Sequence, residues 1–437
     1  MNSHKEITLK EVSDILSLTI KDDTNNKLIT FLCMLSAYTD KSQINISLNA
    51  PSATGKTYLA TEIAKFFPKE DKVERSGASP TSFFYGEGVV DKERNAKIVS
   101  LRRKILIFYE QPNPALQEKL RAVLSHDSRE VSHSLVNRNK GRNQTDTIII
   151  EGFPATIFCS AGLRLDEQET TRAILISPES TEAKIKQAIH LRAKRGADET
   201  KFSAWLEAKP ERNALKERII AIRDELVDEI IITATDIAVI EKRFLALLHI
   251  LKPRNQRDID HLLQLIKVIA LLNVWHRRQP DGKIIAGQTD IDQAFELWEA
   301  FFESQNLNLP PVVLGFYKKY VVPAYMAKYI IANIDERWAM DDNKIGLTSQ
   351  ELSAYYMQEE DTTLNNDQLR KQILPQLQAA GLIVIEKPKT NENDTDRRTR
   401  HIFPKLLTDE DKKNIGMRGV GDTEASKEDL REIMKLF

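Results

Sequence analysis

One run of eight residues, Ala50-Pro-Ser-Ala-Thr-Gly-Lys-Thr57, constrains the fold of this chain more than any other feature. It follows an apolar stretch at 44–48 and precedes a helix-like segment at 58–67. Between a strand and a helix, a loop of this composition directs successive backbone N–H groups at phosphates, and the helix dipole favours an anion there. The alternative is a chance Gly-Lys-Thr in an ordinary loop, and the flanking strand and helix argue against it. We therefore predict a phosphate-binding loop.

Two side chains of this loop carry its chemistry. The ammonium of Lys56 would meet the outer phosphates of a nucleotide, and the hydroxyl of Thr57 would contact Mg²⁺. The usual pattern opens with glycine, whereas this one opens with Ala50, so we expect the chain to turn there without a positive φ. The predicted nucleotide-binding residues are Ala50, Pro51, Ser52, Ala53, Thr54, Gly55, Lys56 and Thr57.

The composition is that of an ordinary globular protein. The 437 residues suffice for two or three domains. Hydrophobic residues make up 41% and charged residues 29%, and no apolar run approaches the ~18 residues of a membrane span. The segment 1–10 lacks the apolar core of a secretory signal. We expect a cytoplasmic protein that does not contact a membrane.

The charge balance and the cysteines exclude some classes of function. With 63 basic and 64 acidic side chains, any affinity for nucleic acid must come from local basic surfaces. Cys33 and Cys159 lie in apolar contexts and lack the paired spacing of a zinc site or a disulfide framework. We expect both to be buried, reduced thiols.

The order of apolar and polar stretches predicts the domain organisation of the first half of the chain. Residues 1–43 are predicted to form a helical lead-in, with no room for a separate N-terminal domain. Over 44–180, helical stretches such as 116–124 alternate with short apolar runs, which lie at 44–48, 104–109, 155–159 and 173–176. Such alternation predicts an α/β core in which helices cover both faces of a parallel sheet.

The rest of the chain is predicted to be mainly helical. Apolar residues recur at three- and four-residue intervals over 181–305, notably at 241–251 and 258–274, and predict an all-helical lid. Paired prolines at 310–311 break this pattern. A helical linker over 306–345 follows.

Residues 346–405 have a third pattern. Thr348 can cap a helix, a second helix over 367–380 ends at Gly381, and the β-type runs 382–386 and 400–403 enclose a polar turn. Two helices followed by a basic hairpin are the order of a winged helix. The remaining residues, 406–437, are predicted to be a polar tail with one helix at 427–436.

An apolar strand at 104–109 delivers a carboxylate, Glu110, at its carboxyl end, where ligands of open α/β sheets bind. Glu110 could polarise a water for attack on a γ-phosphate. Most enzymes of this type have a metal-binding Asp before that Glu, whereas this chain has Tyr109. Mg²⁺ would therefore depend on Thr57, the phosphates and Glu110. The alternative is a strand that ends in Glu by chance.

Two further residues are candidates for contact with phosphate. Ser160 ends the apolar run that follows Pro154, and its hydroxyl could sense the γ-phosphate or hold the attacking water. Arg172 precedes the run 173–176 and lies at the edge of the predicted core. Such an Arg can stabilise transition-state charge in a neighbouring subunit's site. The alternative is a surface Arg that pairs with Glu169 or Asp166.

A basic hairpin is predicted at 130–150. Two β-type runs enclose an Asn- and Gly-rich turn that carries Arg138, Lys140 and Arg142. A hairpin of this kind on an ATPase core would contact the phosphate backbone of DNA. It could equally be a solvated hairpin whose charges only maintain solubility.

These motifs together resemble the AAA+ ATPases of the pre-sensor-1 β-hairpin group, and within it the MCM-like helicases of phages, plasmids and integrative elements. The resemblance also includes the segments 76–85 and 253–266, and it covers about residues 28–300. It implies a P-loop ATPase core with an all-helical lid. A C-terminal winged helix also suits the group.

The resemblance implies a role for each candidate residue. ATP and Mg²⁺ would be bound by Lys56 and Thr57, and water would be activated by Glu110. The sensor-1, arginine-finger, hairpin-tip and sensor-2 residues would be Ser160, Arg172, Lys140 and Arg257, with Arg254 as the competitor for the last role.

From this resemblance we expect a ring, a hexamer, that couples ATP hydrolysis to translocation along single-stranded or forked DNA in the replication of a mobile element. A primase or polymerase of the same element would be a partner. One alternative is a nucleotide-gated DNA-binding scaffold or transposition-type regulator with little unwinding, which Tyr109 would favour. Another is a signalling or defence ATPase.

The predicted winged helix is a second candidate surface for DNA. Its hairpin carries Arg397, Arg398 and Arg400 beside the carboxylates Glu392, Asp394 and Asp396, which would repel phosphate. A protein contact or regulation of the lid is therefore an equal alternative to DNA binding.

Overall fold

The chain divides into two compact units. In the computed structural model the first reaches Asn306 and the second comprises residues from Leu307 onward. The structure describes residues 5–76, 88–137, 144–160, 171–248, 250–334, 346–387 and 400–405.

The first unit is built on a parallel sheet. Its strands are β1 (Asn45–Asn49), β2 (Lys72–Arg75), β3 (Val89–Asp91), β4 (Ala96–Ser100), β5 (Ile105–Phe108), β6 (Glu130–Asn137), β7 (Gln144–Glu151), β8 (Ala155–Ser160) and β9 (Ile174–Ile176). Within the described residues, five of these form the main sheet in the order β2-β5-β8-β1-β9, with every neighbouring pair parallel. The predicted α/β class with a parallel sheet is confirmed.

Four of the main-sheet strands lie within a residue or two of their predicted positions, whereas β2 is absent from the prediction. It contains one buried apolar residue, Val73, among the polar residues Lys72, Glu74 and Arg75. As the edge strand of the sheet, β2 has no need of the continuous apolar run that marks a central parallel strand. Its sequence therefore carried no recognisable β signal.

A second sheet contains the predicted hairpin. Its order is β3-β4-β7-β6, and β6 pairs antiparallel with β7 from Glu130 opposite Glu151 to Asn137 opposite Gln144. The hairpin strands agree with the prediction, but β3 and β4 were missed. The hairpin tip at 138–143 lies outside the described residues.

Helices make up the rest of the first unit. They are α1 (Leu9–Leu16), α2 (Thr24–Ser36), α3 (Lys56–Ala64), α4 (Pro114–Leu124), α5 (Glu182–Ala197), α6 (Glu199–Glu207), α7 (Pro210–Asp224), α8 (Ala234–Ala246), α9 (Asn255–Leu272), α10 (Val274–Arg277) and α11 (Gln288–Asn306). The helix predicted at 241–251 ends earlier, because Ile250 and Leu251 are 71% and 70% exposed and gain nothing from continuing it toward Pro253. Across the described ranges, no helix is both long and apolar enough to cross a membrane.

The two faces of the main sheet enter different cores. Ile105 and Ile107 of β5 join the core formed with α2, α3 and the helices from α7 to α11, whereas Leu106 and Phe108 join a second core with α4 and the hairpin sheet. Successive strand residues point to opposite faces, so a buried parallel strand is apolar throughout. Helix α4 is therefore packed between the two sheets.

Both cysteines are buried free thiols, as predicted. Burial raises the pKa of Cys159 to about 12 and raises that of Cys33 further. Neither sulfur is a thiolate near neutral pH, so neither is suited to nucleophilic chemistry.

The second unit has the elements α12 (Pro311–Phe316), α13 (Val322–Ile334), α14 (Ser349–Glu360), α15 (Asn366–Gln368), α16 (Leu374–Ala379), β10 (Ile383–Glu386) and β11 (His401–Pro404). A π-helical turn precedes α13 and another precedes α16. Each turn lies just before a proline, Pro323 or Pro375, which cannot donate to the carbonyl four residues back. Thr348 caps α14 as predicted, and β10 pairs antiparallel with β11.

Candidate nucleotide-binding site

The loop between β1 and α3, the predicted phosphate loop, contains two residues with positive φ. Gly55 has a φ of 94° and precedes the first residue of α3, and Ala53 has a φ of 66°. Ala50 is buried, has no positive φ and donates its N–H to the Ser160 carbonyl at 3.4 Å. The expected turn without a positive φ at Ala50 is confirmed, and the left-handed residues lie later in the loop.

Lys56 points back into this loop. Its side chain is buried, and Nζ donates to the carbonyl oxygens of Ala50 and Pro51, each at 2.6 Å. Burial lowers the pKa of Lys56. A phosphate would offer the ammonium a stronger, charged acceptor than these two neutral carbonyls. Thr57 is exposed in the first turn of α3, at the positive end of the helix dipole.

The strand register brings the other candidates to the same edge of the sheet. Asn49 of β1 is the partner of Ser160 at the end of β8, and Phe108 of β5 is the partner of Phe158. Glu110, two residues after Phe108, is therefore level with Ser160 and one strand away. Ser160 is buried, whereas Glu110 is exposed. The loop, Ser160 and Glu110 thus meet where ligands of parallel sheets bind.

Sequence reasoning missed Asn49, which is fully buried directly before the loop. Its Nδ2 donates to the carbonyl oxygen of Ser47 at 3.1 Å and to the Ser47 hydroxyl at 2.8 Å. This orients Oδ1 away from Ser47, and within the described residues Oδ1 has no hydrogen-bond partner. A polar residue that ends a buried strand was the available signal.

Tyr109 does not take the place of a metal-binding carboxylate. Its hydroxyl donates to Glu74 Oε1 at 2.8 Å, and its N–H donates to the Arg75 carbonyl at 2.8 Å. Burial and Glu74 raise the pKa of Tyr109, so the phenol stays neutral. The residue therefore ties the end of β5 to β2. Glu74 belongs to the strand that sequence analysis missed.

The residues present fit a magnesium ion that is held mainly by nucleotide oxygens. Oxygen donors at this edge are the Thr57 hydroxyl, the Glu110 carboxylate and the unpaired Asn49 Oδ1. Mg²⁺ prefers oxygen ligands, keeps several waters and usually takes one or two protein groups plus phosphates. Among the residues that the structure describes, no cluster of three or more His, Cys, Asp or Glu side chains forms an all-protein metal site.

Arg172 lies where the strands of the main sheet begin, whereas the loop lies where β1 ends. We call these two ends of the strands the opposite edge and the loop edge of the sheet. Arg172 lies in the turn before β9, in which Ile174 is the partner of Ile46, and it lines a cavity with Gln43 and Asn45, so it lies near the level of residue 44. Six residues of extended strand separate that level from Ala50, a distance of about 20 Å. Arg172 therefore cannot reach the phosphate loop of its own chain. Glu169 and Asp166, its predicted alternative partners, lie outside the described residues.

Arg257 lies at the same edge as Arg172. Its Nη1 donates to Thr171 Oγ1 at 2.5 Å. The side chain of the competitor Arg254 is 8% exposed and is committed to the fold, because its Nε donates to Asp258 at 3.1 Å and its Nη2 to Gln305 at 2.9 Å. Arg257 is thus the better placed of the two to meet a ligand.

A cavity of ≈ 480 Å³ opens at this opposite edge, with Asn45, Ser125, His126, Arg172, Arg257 and His261 among its lining residues. Burial lowers the pKa of His126 to about 4 and that of His261 to about 3. Both imidazoles are therefore neutral at pH 7, and the positive charge at this edge comes from Arg172, Arg257, Lys41 and Lys267.

The predicted DNA-binding residues are mostly beyond the described parts of the chain. Arg138, Lys140 and Arg142 at the hairpin tip and Arg397 and Arg398 before β11 all lie outside them, as do residues 77–85 of the resembling segment. Arg400 is described, and it is exposed one residue before β11.

The structure thus separates the candidate residues into two groups at the two edges of one sheet. Lys56, Thr57, Glu110 and Ser160 lie at one edge, and the arginines lie at the other. No protein-family model matches this chain, and no curated protein is significantly similar to it.

Proposed function

We propose that this chain is an AAA+-type ATPase of the pre-sensor-1 hairpin group, with an all-helical lid and a C-terminal winged helix. It assembles as a ring, a hexamer, and couples ATP hydrolysis to movement along DNA in the replication of a mobile element. The observation that carries the proposal is the separation of the phosphate loop from Arg172 by about 20 Å of sheet. Each chain offers a nucleotide site at one edge and guanidinium groups at the other, so two chains together complete a catalytic site.

The loop edge would bind and activate the nucleotide. Lys56 would exchange the carbonyls of Ala50 and Pro51 for the outer phosphate oxygens, and Thr57 would hold Mg²⁺ with those oxygens. The bound ion neutralises charge that develops on the phosphates. Glu110 would accept a proton from the attacking water, and the Ser160 hydroxyl would orient that water against the γ-phosphate.

The opposite edge would act on the neighbour's nucleotide. Phosphoryl transfer spreads negative charge over the equatorial oxygens, and a guanidinium supplied by another chain stabilises it. Arg172 is proposed as this finger, and Arg257 as the second guanidinium. Arg257 lies close beside it, because it donates to Thr171, the residue before Arg172.

The hairpin of β6 and β7 is the proposed contact with DNA. It belongs to the sheet that packs on α4, the helix that follows Glu110. A change at the nucleotide could therefore reach the hairpin through packed elements. Arg138, Lys140 and Arg142 would track the phosphate backbone, so binding should weaken as salt rises.

Mixing two inactive variants tests the shared site. Glu110→Gln keeps Arg172 and lacks the base, whereas Arg172→Ala keeps the base and lacks the guanidinium. We expect each variant alone to have little DNA-stimulated ATPase activity, and an equimolar mixture to regain a substantial fraction at its mixed interfaces. A mixture as inactive as its components, beside an active unmodified protein, would show that the site is not shared. Forked-duplex unwinding by the unmodified protein tests the motor directly.

One observation favours a second function, a nucleotide-gated DNA-binding scaffold. Tyr109 stands at the position where an Asp would hold the metal, and its hydroxyl donates a hydrogen bond to Glu74. Weaker metal binding slows hydrolysis and favours a long-lived ATP-bound assembly. Electron microscopy with ATP beside a strand-displacement assay separates the two functions: closed rings that unwind support the motor, and open filaments that do not unwind support the scaffold.

A further inference from the structure

Helix α4 connects the two edges of the main sheet. Its N-cap, Asn113, lies three residues after Glu110, and the Asn113 side chain accepts a hydrogen bond from the Ala115 N–H at 2.9 Å. The helix ends at Leu124, and its eleven residues span about 16 Å. This length is close to the length of the strands between the two edges of the sheet. One end of α4 therefore lies near the chain's own catalytic carboxylate, and the other end reaches the edge that holds Arg172.

The packing of α4 makes it a rigid connection. Its buried residues, Leu116, Leu120, Val123 and Leu124, lie in the core between the two sheets. The Leu124 carbonyl also accepts from Asn45 Nδ2 of β1 at 2.8 Å. Close-packed interiors transmit displacement instead of absorbing it. A shift at the first turn of α4 would therefore appear at its last turn.

The C-terminal end of α4 holds the proposed finger directly. The Ser125 N–H donates to the Arg121 carbonyl at 2.9 Å, which continues the helical pattern. The Ser125 hydroxyl accepts a hydrogen bond from Arg172 Nε. A bond to Nε sets the plane of the guanidinium, and recognition of phosphate oxygens by Arg depends on that plane.

We infer that Ser125 is a positioning residue for Arg172, and that α4 links the nucleotide edge of each chain to the guanidinium which that chain offers to its neighbour. This inference rests on the proposed function. The link has a direction. Through Arg172, Ser125 acts on the nucleotide of the adjacent chain, although α4 begins beside the nucleotide site of its own chain. Hydrolysis at one interface would then influence the next interface around the ring.

The equimolar mixture of Glu110→Gln and Arg172→Ala chains tests this direction, because Ser125→Ala can be added to either chain. On the Glu110→Gln chain, which supplies the guanidinium, Ser125→Ala should lower ATP turnover of the mixture about tenfold, since misplacing a catalytic group by about 1 Å can cost up to 10²-fold. On the Arg172→Ala chain the same change should alter turnover less than about twofold. The KM for ATP should be unchanged in both mixtures, and Ser125→Thr on the first chain should restore most of the turnover.

Ser128→Ala is the matched control. Ser128 lies three residues away, and its hydroxyl donates to the Glu130 carbonyl at 2.6 Å. We expect this change to leave turnover within about twofold on either chain. Three outcomes would overturn the positioning role while the shared site stands. Ser125→Ala could lower turnover equally on both chains, it could lower turnover on neither chain, or Ser128→Ala could lower turnover as much as Ser125→Ala does. A parent mixture without activity would overturn the shared site and the positioning role together.

Discussion

The two edges of the main sheet differ in how the chain builds them. The phosphate-loop edge is formed largely by one continuous stretch, 50–57, with Ser160 and Glu110 brought beside it by strand register. The opposite edge is formed by residues from distant segments, so that Ser125, Arg172 and Arg257 become neighbours only in the fold. A local motif reveals the first edge, and only the tertiary structure reveals the second. Four predictions test this contrast, from the largest expected effect to the smallest.

Removing the loop lysine should have the largest effect, because ATP binding and the turnover that depends on it should both be lost. Lys56→Ala deletes the charged donor that lies against the carbonyls of Ala50 and Pro51. We expect ATP affinity to fall about 100-fold, since a lost charge-assisted contact costs up to about 3 kcal/mol. Isothermal titration with ATP and Mg²⁺ measures this. Lys65→Ala, which removes an exposed lysine paired with Glu62 just beyond the same helix, should leave affinity unchanged. Retained affinity in Lys56→Ala would separate this loop from phosphate binding.

Removing the finger should abolish turnover and spare binding. Arg172→Ala should lower kcat by about 10³-fold, the lower end of the range for a transition-state guanidinium, with ATP affinity within about twofold. Steady-state ATPase assays with DNA and the same titration separate these two effects. The exposed Arg192 is the control, and Arg192→Ala should change neither. Full activity in Arg172→Ala would exclude the opposite edge from catalysis.

Acid should destabilise the opposite edge through two desolvated histidines, the partly buried His126 and the buried His261. Their pKa values of about 4 and 3 lie below the ordinary value of about 6.5, so the unfolded chain binds protons first as the pH falls. Their stabilising contribution is complete above about pH 6.5 and declines toward those lower values. At pH 5 the loss is up to about 2 kcal/mol for each histidine.

Denaturant unfolding at pH 7.5 and pH 5 measures this loss. His261→Gln removes one titrating group and should reduce the difference in free energy of unfolding between the two pH values by up to about 2 kcal/mol. His190→Gln, a change at an exposed position, should leave the difference unaltered. Equal differences in the unmodified protein and in His261→Gln would argue that His261 is protonated as readily in the folded chain as in the unfolded one.

The smallest effect concerns the loop backbone. Ala53 has a φ of 66°, which costs a residue with a Cβ roughly 1–2 kcal/mol. Ala53→Gly relieves that strain and adds about 0.5–1 kcal/mol of unfolded-state entropy, so we expect a net gain in stability of about 0.5 kcal/mol. Ala193→Gly, the same change on an exposed face of α5, should cost about 1 kcal/mol. A loss from Ala53→Gly in chemical denaturation would contradict the left-handed conformation.

Strand prediction succeeded where burial demands an apolar run and failed where it does not. The central strands β1, β5 and β8 are buried on both faces, and their sequences show it. The edge strand β2 is mostly polar, and β3 has 78% and 70% exposed valines. Within the candidate site, motif and strand order predict four residues, Lys56, Thr57, Glu110 and Ser160. The roles of Glu74, Asn49 and Ser125 do not, because no local pattern distinguishes these residues from ordinary polar ones.

By itself, the sequence determined the strand, loop and helix around residues 50–57, the α/β class and the hairpin strands, because each depends on the chemistry and periodicity of neighbouring residues. The tertiary structure alone decided that Arg172 and Arg257 lie together, about 20 Å of strand away from the loop of their own chain. It also decided that α4 ends at the serine that holds Arg172. The physical reason is that parallel strand order and helix packing bring together residues far apart in the chain. Ser125 and Arg257, 132 positions apart, line one cavity, and no local pattern encodes that proximity.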